Sequence, residues 1–228
     1  MRSIRIFEII VRIKNKLYSQ QTLDKFLKNQ GKDRWLDIGC GGNFTPGFHY
    51  LDYFADVEIP EDCKSRYYKI NLLELTSEEC ASIGKFDLIR MQHVFEHFTP
   101  EEGHIVLQSC AKLLKPDGII LVTVPDLKKF VNIYKRNRFT DLYTFYHWSL
   151  RRIKNDAPAS YFFSIFSHSL LHEQHKWCYD SKGLQYAFSN TGCYTNIKEL
   201  KLTNKLASFP FTHNRPLEDV CIIANIKQ

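Results

Sequence analysis

The chain has 228 residues, 44% of them hydrophobic and 25% charged, which is the composition of one globular domain and too short for two comfortable ones. Lys and Arg number 31 against 25 Asp and Glu, a net charge of +6 that suits an acidic substrate, an anionic surface or RNA. It falls short of the dense basic stripe of a dedicated nucleic-acid binder, and no run of apolar residues is long enough to span a membrane.

Seven cysteines fall at positions 40, 63, 80, 110, 178, 193 and 221, none in a CxxC pair. That spacing argues against a zinc ribbon or redox couple, and the odd count fits reduced thiols in a cytoplasmic protein. Residues 1–20 read as an amphipathic helix with Ile6, Ile9, Ile10, Ile13 and Leu17 on one face. Glu8 and Arg12 interrupt the apolar run, so it does not read as a signal peptide. The stripe explains burial against the edge of a domain. Its basic flank, with Arg2, Arg5 and Lys16, also suits peripheral contact with an anionic membrane.

From Arg34 onward, strand and helix patterns alternate. RWLDIG, FHYLDYF, RYYKIN and FDLIRMQ read as four strands, and PEEGHIVLQSCAKLL as a helix with Pro100 in its first turn. KPDG then turns the chain into GIILVTVP, an apolar run of the kind buried on both faces of a parallel sheet. A basic aromatic helix, LKKFVNIYKRNRF, opens a less orderly insertion over residues 127–180. DSKGLQYAFSNTG reads as a helix capped by Asp180, and YTNIKELKLTN and LEDVCIIANIK as two last strands able to pair antiparallel. The whole is expected to be a single α/β domain over residues 1–228, a doubly wound sheet that is mostly parallel with an antiparallel last strand.

The first strand runs into Asp37-Ile38-Gly39-Cys40-Gly41-Gly42, where glycines let the backbone approach a bound nucleoside closely. Asp52 ends the second strand, where a carboxylate can accept from ribose hydroxyls. A dinucleotide fingerprint would need glycine at position 44, which is Phe44, and no phosphate-binding P-loop is present.

LDIGCGGN, the acid in YLDY, FDLIRMQHVFEHF and LKPDGIILVTVPD together resemble a class I SAM-dependent methyltransferase with a Rossmann-like fold. They are most similar to the small bacterial type associated with cell-surface polysaccharide biosynthesis. The resemblance covers roughly residues 33–126. It implies S-adenosylmethionine as cofactor, with Asp37, Gly39, Cys40 and Gly41 at its amino-acid part and Asp52 at its ribose. It implies Asn71 near the adenine, where an Asp is more usual, and Gln92 and His93 beside the transferring methyl. The segment NFTPGF between Gly42 and the second strand is too short for the usual helix there, a feature shared with the same small type.

QHVFEHF places His93, Glu96 and His97 just past a strand end. A histidine can take the acceptor's proton, and a carboxylate can orient a sugar hydroxyl. Glu96 and His97 could equally cap the next helix. HSLLHEQHKW adds His168, His172 and His175 at helical spacing, but HEQH misses the zinc-protease HExxH motif by one residue. No carboxylate cluster accompanies these histidines, so no metal is assigned. The insertion is read as a lid in which His172 and His175 join His93 as catalytic candidates. Glu96, His97, His168 and Trp177 are candidates for holding the acceptor. The expected reaction is O- or N-methylation of a small-molecule or glycan acceptor. RNA is one rival acceptor, suggested by KKFVNIYKRNR but unsupported by a base-flipping motif after the fourth strand. A non-catalytic SAM-binding protein is the other rival, against which the intact glycine loop and strand-end acid argue.

Overall fold

The structure, a computed structural model, describes residues 34–53, 57–136, 175–201, 215 and 217–227. The expected helix over residues 1–20 and the candidates His168 and His172 lie outside the described residues.

Among the described residues, seven strands form one sheet: β1 (Trp35–Ile38), β2 (Phe48–Asp52), β3 (Tyr67–Lys69), β4 (Phe86–Gln92), β5 (Leu114–Pro125), β6 (Tyr194–Glu199) and β7 (Asp219–Ile226). Their order across the sheet is β3-β2-β1-β4-β5-β7-β6. The first five strands pair parallel. β7 runs antiparallel to β5, and β6 antiparallel to β7. The sheet is therefore the mostly parallel Rossmann-like α/β arrangement expected, with antiparallel pairing at its last strands.

Four helices accompany the sheet among the described residues: α1 (Ser77–Ile83), α2 (Pro100–Leu113), α3 (Leu127–Lys135) and α4 (Ser181–Asn190). Capping boxes start α1 and α2: Thr76 and Thr99 each accept from the N–H three residues on, and Glu79 and Glu102 reach back. Asp126 and Asp180 cap α3 and α4. Alternate strand residues feed two buried clusters, as the period of a strand requires. Leu36, Ile89, Met91, Val122 and Ile222 join Val106, Leu107, Leu184 and Phe188 of α2 and α4 in one. Trp35, Phe48, Tyr50, Leu88, Leu121 and Cys221 form the other.

Two local readings change. The expected turn at KPDG belongs to β5, which starts at Leu114 and takes up the irregularity as a register shift opposite Phe86 and Leu88. Asp117 carries the strain there at φ 62°. The last-but-one strand is shorter than YTNIKELKLTN implied and stops at Glu199. Between β1 and β2 there is only a turn, as the broken NFTPGF segment predicts.

Candidate functional site

In a parallel sheet, β1, β2 and β4 end on the same edge, and their following loops meet there. The loop after β1 bends at three glycines with positive φ: Gly39 at 68°, Gly41 at 51° and Gly42 at 83°. The Gly39 N–H donates to the Leu51 carbonyl at 2.8 Å. The Gly41 N–H donates to Asp52 Oδ2 at 3.1 Å. Asp52 thus ties the end of β2 to the glycine loop. A Cβ on Gly41 would meet no atom nearer than the Gly39 carbonyl oxygen at 4.0 Å. The loop presents bare backbone to open space that a side chain would fill. A glycine loop that lets a ligand approach its backbone, beside a strand-end carboxylate, fits a nucleoside-bearing cofactor. Phe44, where a dinucleotide site would need glycine, instead packs edge-on against Tyr50 with ring centroids 5.0 Å apart. Cys40 is buried, and that burial, with Asp37 nearby, pushes its thiol up to about 12. It is an inert thiol at neutral pH.

Asp37 is buried and sits beside Arg90, its register partner on β4. Arg90 Nε donates to Asp37 Oδ1 at 2.8 Å, and a second guanidinium nitrogen donates to Oδ2. Arg90 also donates to Thr45 Oγ1 at 2.9 Å, and its guanidinium lies 4.1 Å from the centre of the Phe48 ring. Burial drives the Asp37 carboxyl upward, and Arg90 opposes it. The pair locks β1, β4 and the glycine loop together. Arg90 was not singled out in the sequence, although a charged residue inside the apolar FDLIRMQ was the available signal.

Asn71 sits where β3 ends and caps the 3-10 turn Leu72–Glu74, accepting from the Leu73 N–H at 3.1 Å. Gln92 closes β4 in register with Thr123. His93 follows with φ 55°, a conformation uncommon for a residue with a side chain. Its N–H donates to the Thr123 carbonyl at 2.9 Å. Its ring bridges two buried carboxylates: Nε2 lies 3.0 Å from Asp219 Oδ2 and Nδ1 lies 3.3 Å from Glu96 Oε1. Burial disfavours the charged ring, but Asp219 and Glu96 outweigh it and push His93 up to about 9. The two carboxylates therefore favour the protonated ring. Asp219 was missed in the sequence because an acid opening the last strand reads as a solvated end.

The turn Phe95–His97 brings Glu96 and His97 beside His175. The Lys176 and Trp177 N–H groups both donate to the Glu96 carbonyl, at 2.9 and 3.2 Å. Lys176 Nζ pairs with Glu102 at 2.9 Å. The His97 and His175 rings meet edge to face with centroids 5.0 Å apart. Trp177 is about half exposed at the same place. Burial opposes ionisation of Glu96, but His93, His97 and His175 hold its carboxyl below the usual range. Of the sequence candidates, Asp37, Gly39, Cys40, Gly41 and Asp52 gather at the glycine loop. His93, Glu96, His97, His175 and Trp177 gather at the turn after β4. Gly39 joins the two groups, because a Cβ there would lie 2.3 Å from Val94 Cγ2.

A family model described as a methyltransferase domain matches residues 11–195. Ubiquinone biosynthesis O-methyltransferase of Glaesserella parasuis serovar 5 (strain SH0165) is 29% identical over 104 residues, covering 39% of this chain. The chain spans 43% of the length of that relative. A SAM-dependent methyltransferase from Thermotoga maritima has a TM-score of 0.53 at 16% identity, covering 99% of this chain and 97% of the other. The S-adenosylmethionine-dependent methyltransferase SibL has a TM-score of 0.53 at 11% identity, covering 86% of this chain and 51% of its own. At these identities the structural likeness shows the fold.

Proposed function

Because the chain belongs to the methyltransferase-domain family, we propose that it binds S-adenosylmethionine and methylates an oxygen or nitrogen of a small-molecule or glycan acceptor. The observation that carries the reading is the glycine loop, held open by hydrogen bonds from Gly39 to Leu51 and from Gly41 to Asp52. When bound, the cofactor supplies an electrophilic methyl on a positively charged sulfur.

The backbone of Gly39, Cys40 and Gly41 would hold its amino-acid part, and Asp52 its ribose hydroxyls. Asn71 would stand near the base, its amide able to donate as well as accept. Arg90 keeps Asp37 and the loop in place from behind. The protein's chief task is then to hold the acceptor atom in line with the methyl. His93 is fixed by Asp219 and Glu96 on either side of its ring, which sets its orientation just past the end of β4. Proton removal falls to His175 or His172, or to His93 once its own proton has passed to solvent.

A glycan of cell-surface polysaccharide biosynthesis is the acceptor class we favour. The support is the resemblance of LDIGCGGN, YLDY, FDLIRMQHVFEHF and LKPDGIILVTVPD to the polysaccharide-linked type. A cytoplasmic location and peripheral membrane contact through residues 1–20 belong to the same proposal. Equal co-sedimentation with anionic liposomes, with and without those residues, would remove the contact.

The test is transfer of labelled methyl to a panel of nucleotide sugars, glycans, small phenols and RNA. Labelling of a sugar or small molecule supports the reading, and labelling confined to RNA overturns its acceptor class. Asp52→Ala should weaken cofactor binding. His93→Ala should lower turnover more than cofactor binding, and full activity in that variant would remove His93 from the site.

A further inference from the structure

Glu96 is 2% exposed, and its carboxylate oxygens accept no well-aligned hydrogen bond, His93 Nδ1 standing 3.3 Å away. A buried carboxylate is costly unless a positive charge faces it. The groups that approach it are histidine nitrogens: His93 Nδ1 at 3.3 Å and His175 Nε2 at 3.9 Å from Oε1. Ligating atoms of Glu96, His97 and His175 all lie within 4.8 Å of one another. Around an ion with bonds of about 2.1 Å, such atoms stand roughly 3–4 Å apart, so modest side-chain rotation closes the set. The frame is fixed, because both backbone hydrogen bonds to the Glu96 carbonyl come from the residues just after His175.

We propose that Glu96, His97 and His175 form a binding site for one first-row divalent cation. This departs from the sequence expectation of no metal. The carboxylate that the histidines of HSLLHEQHKW lacked comes from the distant turn after β4. Two imidazoles and one carboxylate suit Zn²⁺, Fe²⁺ or Co²⁺ better than Mg²⁺ or Ca²⁺. Three protein ligands leave positions for water or for acceptor oxygens. With His175 ligated to the ion it no longer serves as the base, and a hydroxyl bound there loses its proton to His172, His93 or solvent more readily. The acceptor class narrows to molecules with adjacent oxygens, such as a vicinal diol. That role of the ion rests on the methyltransferase reading, whereas its binding does not.

The experiment uses the full chain, stripped with a chelator and shown to be folded by circular dichroism. Zn²⁺ binding is measured by titration calorimetry and Co²⁺ binding by its visible spectrum, without cofactor. S-adenosylmethionine binding is measured in parallel. One equivalent of Zn²⁺ should bind. Glu96→Gln and His175→Ala should each weaken it about ten-fold or more, with loss of the Co²⁺ band. His104→Ala, on α2 away from the cluster, should bind as wild type does. Absence of saturable binding to the folded chain, or a smaller loss in either ligand variant, would overturn the site. Zn²⁺ binding without S-adenosylmethionine binding would sink the methyltransferase reading and leave the site standing.

Discussion

Replacing Gly39 by alanine perturbs both halves of the site at one atom. The backbone there has φ 68°, and the new Cβ would sit 2.3 Å from Val94 Cγ2 and 3.1 Å from Cγ1. A side chain in the left-handed region costs about 1–2 kcal/mol. Forcing Val94 aside costs a further ~1–3 kcal/mol, as overpacking does. The sum, roughly 2–5 kcal/mol, is a large part of the ~5–15 kcal/mol that holds a domain folded. Val94 lies between His93 and the Phe95–His97 turn, so its displacement also moves the groups that would meet the acceptor. The assay is urea unfolding of wild type, Gly39→Ala, Val94→Ala and the double variant. The double variant should relieve the clash and keep the backbone cost, giving a coupling of about 1–3 kcal/mol. A Gly39→Ala variant within about 0.5 kcal/mol of wild type, or strict additivity in the cycle, would refute the packing argument.

Asp37→Asn leaves the Arg90 guanidinium buried without its counter-charge and should cost about 3–5 kcal/mol in urea unfolding. A loss confined to cofactor affinity would show that Asp37 serves the ligand instead. His49 hydrogen-bonds through Nδ1 with the Tyr68 hydroxyl at 2.9 Å, and burial, then Arg34 and Arg66, lower its pKa from 6.5 to about 4. The unfolded chain therefore takes up this proton first. Its contribution to stability falls as pH drops from 6.5 towards 4, then levels off. After allowance for partial exposure the loss is on the order of 1–2 kcal/mol. His49→Gln should flatten that part of the thermal-melting profile, and identical profiles would dismiss His49 as a source.

The sheet was legible because its parallel strands are short apolar runs with turn residues between them, and because LEDVCIIANIK carries a short continuous apolar run rich in β-branched residues. The absence of a helix after β1 was also readable, since Pro46 and Gly47 break the only segment available. Helix α1 was overlooked although Thr76 and Glu79 spell its capping box, because only seven residues follow that signal. The site was legible in pieces. Glycines and strand-end acids announce themselves locally, so Asp52 and the loop were found together. Asp219 was not, because its place beside His93 depends on the antiparallel register that sets it opposite Pro125. The meeting of His175 with Glu96 is likewise made by backbone hydrogen bonds between distant segments, which spacing alone does not reveal.

Titration calorimetry of the folded chain with S-adenosylmethionine, repeated with S-adenosylhomocysteine, tests the central claim most directly. Saturable one-to-one binding, weakened in Asp52→Ala, is the predicted result. No binding of either compound to folded protein would contradict the account and leave a Rossmann-like fold with another ligand.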